Sequence, residues 1–156
     1  MPPVSRDLRV PKHTVTVELA LDGRAPRTVE IYLAEQRAHD FQAEDVADLF
    51  GEPTPFLPAR DVAEAEVVVI RKEAVAWVAL PIPAGTDELF EERHDVRVEL
   101  RGGGGLDGEL LYSPPEGQGR VVDHLNGAGR FLRLWTADRL VLVNTQYIIR
   151  VIEKGS

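Results

Sequence analysis

Apolar and polar positions alternate through much of this chain. Val15, Val17 and Leu19 are separated by Thr16 and Glu18, and Val96, Val98 and Leu100 by Arg97 and Glu99. Successive side chains of an extended strand point to opposite faces, so a period of two predicts strands with one buried and one solvent face. "AEVVVI" and "RLVLVN" are short apolar runs, mostly β-branched, the pattern of strands buried on both faces. "EAVAWVAL" and "YIIRVI" read as two further strands. Only "HDFQAEDVADLFGE" has a helical period. Ala43, Val46, Ala47 and Phe50 fall at i, i+3, i+4 and i+7, with Asp40 placed to cap the start and Gly51 the end.

The pattern occurs twice. "TVTVELALDGRAPRTVEIYL" and "DVRVELRGGGGLDGELLY" both read V-x-V-E-L, a turn, then an apolar run ending near a tyrosine (Tyr32 and Tyr112). Later, residues 68–78 pair without a gap with residues 141–151. The offset between the copies falls from 81 residues to 73, so the first copy is longer in its middle. This divides the chain into an N-terminal arm (1–13), unit A (14–80), a connecting stretch (81–94) and unit B (95–153). The expected fold is mainly β: two tandem small β-barrel-like units, packed together or sharing strands, with one short helix in unit A.

The glycines of "LRGGGGLDGELLY" test that reading. Gly103, Gly105 and Gly108 satisfy the G-x-G-x-x-G spelling of a dinucleotide turn. Such a turn holds a pyrophosphate only where a helix begins at the glycines, and here Pro114 and Pro115 arrive too soon for one. Unit A fills the same place with "ALDGRAPR". The loop is therefore expected to be a hairpin turn, with glycine supplying positive φ.

Composition narrows the function classes. With 44% apolar and 28% charged residues the chain has the balance of a globular protein. No apolar run is long enough to span a bilayer, and the "MPPVSRDLRVPKH" start lacks a signal-peptide core, so a cytoplasmic location without a membrane partner is expected. The absence of cysteine excludes disulfides, thiolate zinc sites and cysteine nucleophiles. A net charge of −8 disfavours a protein built mainly to neutralise phosphates. The charge is uneven: residues 14–80 carry 13 acidic and 6 basic side chains, residues 95–156 carry 8 of each. An acidic half joined to an arginine-rich neutral half could favour packing between them or head-to-tail association.

The order of two strands, a tight turn, an irregular or helical middle, an "FL" strand and a closing pair resembles the small β-barrels of SH3-like and Sm-like type found in uncharacterised bacterial proteins. The resemblance covers both units. It implies a bacterial interaction scaffold, or, through the Sm-like RNA binders, a grip on bases by an Asp-x-aromatic-x-Asn run and a late Arg-Gly. Here Asn144 follows an apolar strand and Arg150 is followed by Val151, so no functional residue carries over.

Candidate chemistry gathers in "GRVVDHLNGAGRFLRLW". Arg120, Asp123, His124, Asn126, Arg130, Arg133 and Trp135 combine the residue types enriched at binding hot spots with loop glycines. His39-Asp40, His94-Asp95 and Asp123-His124 are neighbour pairs, but four histidines in all give no metal-ligand spacing, and no serine stands in a nucleophile elbow. No cofactor, metal or catalytic residue is assigned. The leading expectation is a non-catalytic interaction or regulatory module with a protein partner or self-association. The alternatives are RNA or single-stranded nucleic-acid binding through unit B, and a small metal-independent enzyme using Asp123 and His124.

Overall fold

A computed structural model describes residues 12–34, 43–82, 90–115, 117 and 119–155. The chain is mainly β. Its strands are β1 (Lys12–Leu21), β2 (Arg27–Ala34), β3 (Phe56–Asp61), β4 (Glu66–Arg71), β5 (Val75–Pro81), β6 (Glu92–Leu100), β7 (Gly105–Tyr112), β8 (Phe131–Trp135), β9 (Arg139–Asn144) and β10 (Ile148–Glu153). Among the described residues two short helices interrupt them, α1 (Ala43–Gly51) and α2 (Val121–Asn126). Strands reach into both ends of the connecting stretch, since β5 runs to Pro81 and β6 starts at Glu92. Asp40, expected to cap α1, lies outside the described residues. Among the described residues no helix is long and apolar enough to cross a membrane.

All ten strands belong to one antiparallel sheet in the order β10-β6-β7-β8-β9-β5-β1-β2-β3-β4. Each half therefore runs fifth, first, second, third, fourth strand. In each half a 3-10 turn precedes the last strand, Lys72–Ala74 before β5 and Thr145–Tyr147 before β10. The sheet does not close into barrels. The reason lies in β5: one edge is paired to β1, and the other is taken by β9 of the second half, not by β4.

That pairing makes a wall with a core on each side. Across it Val78 stands opposite Leu142 and Leu80 opposite Leu140, all four in the core of the first half. Between them Ala79 faces Val141, both in the core of the second half. The tryptophans cross over: Trp135 of β8 packs into the first core, and half-buried Trp77 of β5 packs against the second. "RLVLVN" is accordingly buried on both faces, as its composition predicts. "AEVVVI" is not, because Val67 and Val69 of β4 are exposed where no second core covers them.

Polar groups fasten the wall. The buried Asn144 amide donates to the carbonyls of Glu73 (3.2 Å) and Val75 (3.0 Å) in the other half, while its Oδ1 accepts from Gln146 N at 3.0 Å. Arg139 on β9 donates to Glu18 on β1 at 2.6 Å. Lys72, also buried, holds the end of α1: its ammonium donates to Leu49 O at 2.7 Å, Glu52 O at 3.3 Å and Thr54 Oγ1 at 3.1 Å. A cation suits the free carbonyls of a helix C-terminus, although burial pulls this ammonium below its ordinary value.

The glycine loop turns a corner. β6 ends at Leu100 and β7 starts at Gly105, with Gly102 and Gly103 at φ of 88° and 97°. Gly108 has a different task, since a Cβ there would lie 2.7 Å from the Trp135 carbonyl oxygen where β8 crosses β7. Asn144→Ala should lower stability by about 1–3 kcal/mol, because the buried Val75 carbonyl, the part-buried Glu73 carbonyl and one N–H lose their partner. Urea unfolding followed by circular dichroism measures this, and an unchanged midpoint would mean that Asn144 does not fasten the halves.

Candidate functional site

The residues from Arg120 onward first build a short helix. Arg120 sits at its N-cap with extended backbone, Val121 is buried beneath it, and Gly127 closes it. Arg120 turns back on Asp123, donating from Nε to Oδ2 and from Nη2 to Oδ1, each at 3.1 Å. That hydrogen-bonded guanidinium holds the Asp123 carboxyl below the usual carboxylate range. Asp123 is therefore committed to Arg120, and Asn126 is exposed at the helix end.

His124 takes another direction, as adjacent residues on a helix do. Its ring lies flat on Tyr112 from β7, with centroids 4.0 Å apart and planes inclined by 4°. His94 from β6 also stacks on Tyr112, at 5.7 Å and 21°, and its Nε2 lies 3.0 Å from Glu92 Oε1. The Tyr112 hydroxyl donates to Gly119 O at 3.0 Å, and burial raises its pKa. Two histidines far apart in sequence thus meet at one phenol ring. Burial first, and the neighbouring His94 second, pull the His124 imidazole below its ordinary value.

Beside this stack opens a cavity of about 610 Å³. Its apolar walls include Phe90, Leu111, Phe131 and Trp135, and α1 of the first half contributes Ala47 and Gly51. Phe131 packs edge-on against Phe50 of α1 at 5.3 Å, and Phe90 lies 6.1 Å from the Trp135 ring. His124, Arg130 and Arg133 supply the charge-bearing lining, the two arginines being exposed. The Trp135 indole Nε1 is buried and has no hydrogen-bond acceptor among the described residues. A buried donor left unpaired costs about 1–3 kcal/mol.

Of the seven sequence candidates, the cavity gathers His124, Arg130, Arg133 and Trp135. It leaves Arg120 and Asp123 paired with each other and Asn126 outside. His39-Asp40 lies outside the described residues. Sequence reasoning missed Phe90, Phe131 and the α1 wall as parts of one site. Proximity of "RFLRLW" to the candidate loop signalled Phe131, but nothing local signalled the helix. No protein-family model matches the chain, nor does any curated protein or solved structure.

The His124 shift has a definite sign. An unfolded chain protonates this ring near pH 6.5, about its ordinary value, while the folded protein does so lower. Stability should therefore fall as pH drops from about 6.5 until the folded ring also protonates. His124→Phe keeps an aromatic ring on Tyr112 and removes the ionisation, so its melting temperature should decline less over that interval. Equal declines in wild type and variant would refute the assignment.

Proposed function

We propose that this protein is a non-catalytic interaction module, built from two copies of one five-stranded unit of the SH3-like or Sm-like type. The repeated strand order and the paired 3-10 turns support the two-copy reading. The module binds at the cavity between the halves, and its occupant is an acidic peptide segment carrying an apolar anchor. The observation that carries this is an apolar cavity walled by Phe90, Leu111, Phe131 and Trp135 and edged by Arg130 and Arg133. A carboxylate complements that rim, and an aromatic or aliphatic side chain fills the walls.

The alternatives fare less well on the same residues. Nucleic-acid binding needs arginines to meet phosphates, yet Arg97 pairs with Asp107, Arg120 with Asp123, Arg139 with Glu18 and Arg150 with Glu99. Arg101 lies over the Tyr147 ring at 4.4 Å. Acid–base chemistry by Asp123 and His124 needs the two to act on one proton, whereas one is bound to Arg120 and the other is stacked on Tyr112.

Two capped peptides, acetyl-Glu-Trp-Glu-amide and acetyl-Lys-Trp-Lys-amide, separate these readings when titrated into ¹⁵N-labelled protein. The Trp135 indole N–H signal, assigned with Trp77→Phe, should move with the acidic peptide and stay with the basic one. Arg130→Ala and Arg133→Ala should each weaken the acidic peptide by about two- to fivefold. Equal responses to both peptides, or none at Trp135, would contradict the proposal.

A further inference from the structure

We infer that copies of this chain associate head to tail, the β4 edge of one adding to the β10 edge of the next. The proposal is independent of the cavity. It starts from the junction inside the chain, where the fourth strand of one half (β9) pairs with the fifth strand of the other (β5). The same two kinds of edge remain at the ends of the sheet: β4 is the outermost strand at one end and β10 at the other. Equivalent strands lie 73 residues apart, as β4, the 3-10 turn and β5 do from β9, the second turn and β10.

Burial at equivalent positions points to what is missing. On β9, Leu140 and Leu142 are 0% and 1% exposed because the first core covers them. Their counterparts on β4, Val67 and Val69, are 72% and 69% exposed. On β5, Ala76 is 8% exposed, and its counterpart on β10, Ile149, is 64%. The chain thus keeps apolar side chains at the positions that the internal junction buries, on the two strands whose outer edges have no partner among the described residues. Exposed apolar residues on an open edge are ready for strand addition.

Shifting the internal register by 73 residues gives the intermolecular one. Trp77 opposite Val143, Val78 opposite Leu142, Ala79 opposite Val141 and Pro81 opposite Arg139 become Arg150 opposite Ile70, Val151 opposite Val69, Ile152 opposite Val68 and Lys154 opposite Glu66. Two of the four apolar pairs stay apolar, Val151 with Val69 and Ile152 with Val68, and the terminal pair becomes one of opposite charge. Two mismatches accompany them: Arg150 takes the place of Trp77 opposite Ile70, and Glu153 the place of Leu80 opposite Val67. At one flank the acidic Glu66 of one copy meets Lys154 of the next, which within its own chain pairs with Asp107. Because the two surfaces differ, the contact is heterologous and propagates until a ring closes or a filament forms.

Light scattering on the full chain tests this. Wild type should give masses above the 17.3 kDa monomer that grow in whole multiples. Val67→Lys/Val69→Lys and Ile149→Lys/Ile152→Lys should each be monomeric. Mixed in equal amounts they should form a dimer of twice the monomer mass, because each still offers one intact edge. Without any substitution, amide exchange in β4 and β10 should slow as wild-type concentration rises, while β1 and β6 exchange unchanged. A wild-type monomer at all concentrations would overturn the proposal. So would doubly substituted variants that assemble like wild type, or a mixture of folded variants that stays monomeric.

Discussion

The ladder between β5 and β9 is the constraint on which the molecule depends. A five-stranded unit this small can bury its apolar faces by closing on itself, but here the fifth strand of the first half is occupied by the fourth strand of the second. Pairs along the ladder alternate between the cores: Val78 with Leu142 and Leu80 with Leu140 go into the first, Ala79 with Val141 into the second. Neither core is complete without strands from both halves. Asn144, buried at the end of β9, adds hydrogen bonds that only the other half can accept.

The cavity follows from the same arrangement. Joining the halves along β5 and β9 brings Phe50 of α1 against Phe131 of β8 and places Ala47 and Gly51 opposite the loop that follows α2. The three hydrogen bonds from buried Lys72 hold the C-terminal end of α1 in that position. The site is thus built between the halves although most of its charge comes from one, and this is why the charge asymmetry along the chain has a structural counterpart.

Much of this was legible from local pattern. Alternation located β1 and β6, the helical period located α1, and the proline pair after Gly108 ruled out a phosphate loop in favour of the observed turn. Residues 68–78 and 141–151, which match without a gap in the sequence, each run as strand, 3-10 turn and strand. What failed was anything set by the partner of a strand. "AEVVVI" and "RLVLVN" have nearly the same character, and only the pairing of β9 with β5 makes one buried and the other half exposed. His124, Arg130, Arg133 and Trp135 of the candidate loop line one cavity because a short helix and a strand bring nearby residues together. Arg120 and Asp123 satisfy each other instead, and Phe90 and α1 arrive from elsewhere in the chain. Tyr112 stacking with both His94 and His124 joins residues 30 positions apart, and no spacing rule signals it.

Native-state hydrogen exchange measures the shared wall most directly. If both cores hang on the β5–β9 ladder, amides of these two strands exchange only through global unfolding, and the slowest amides of β1 and β6 share one opening free energy with them. A second half that opened at a distinctly lower free energy, with the β5 and β1 amides still protected, would contradict the account: the halves would then be separate units that merely touch.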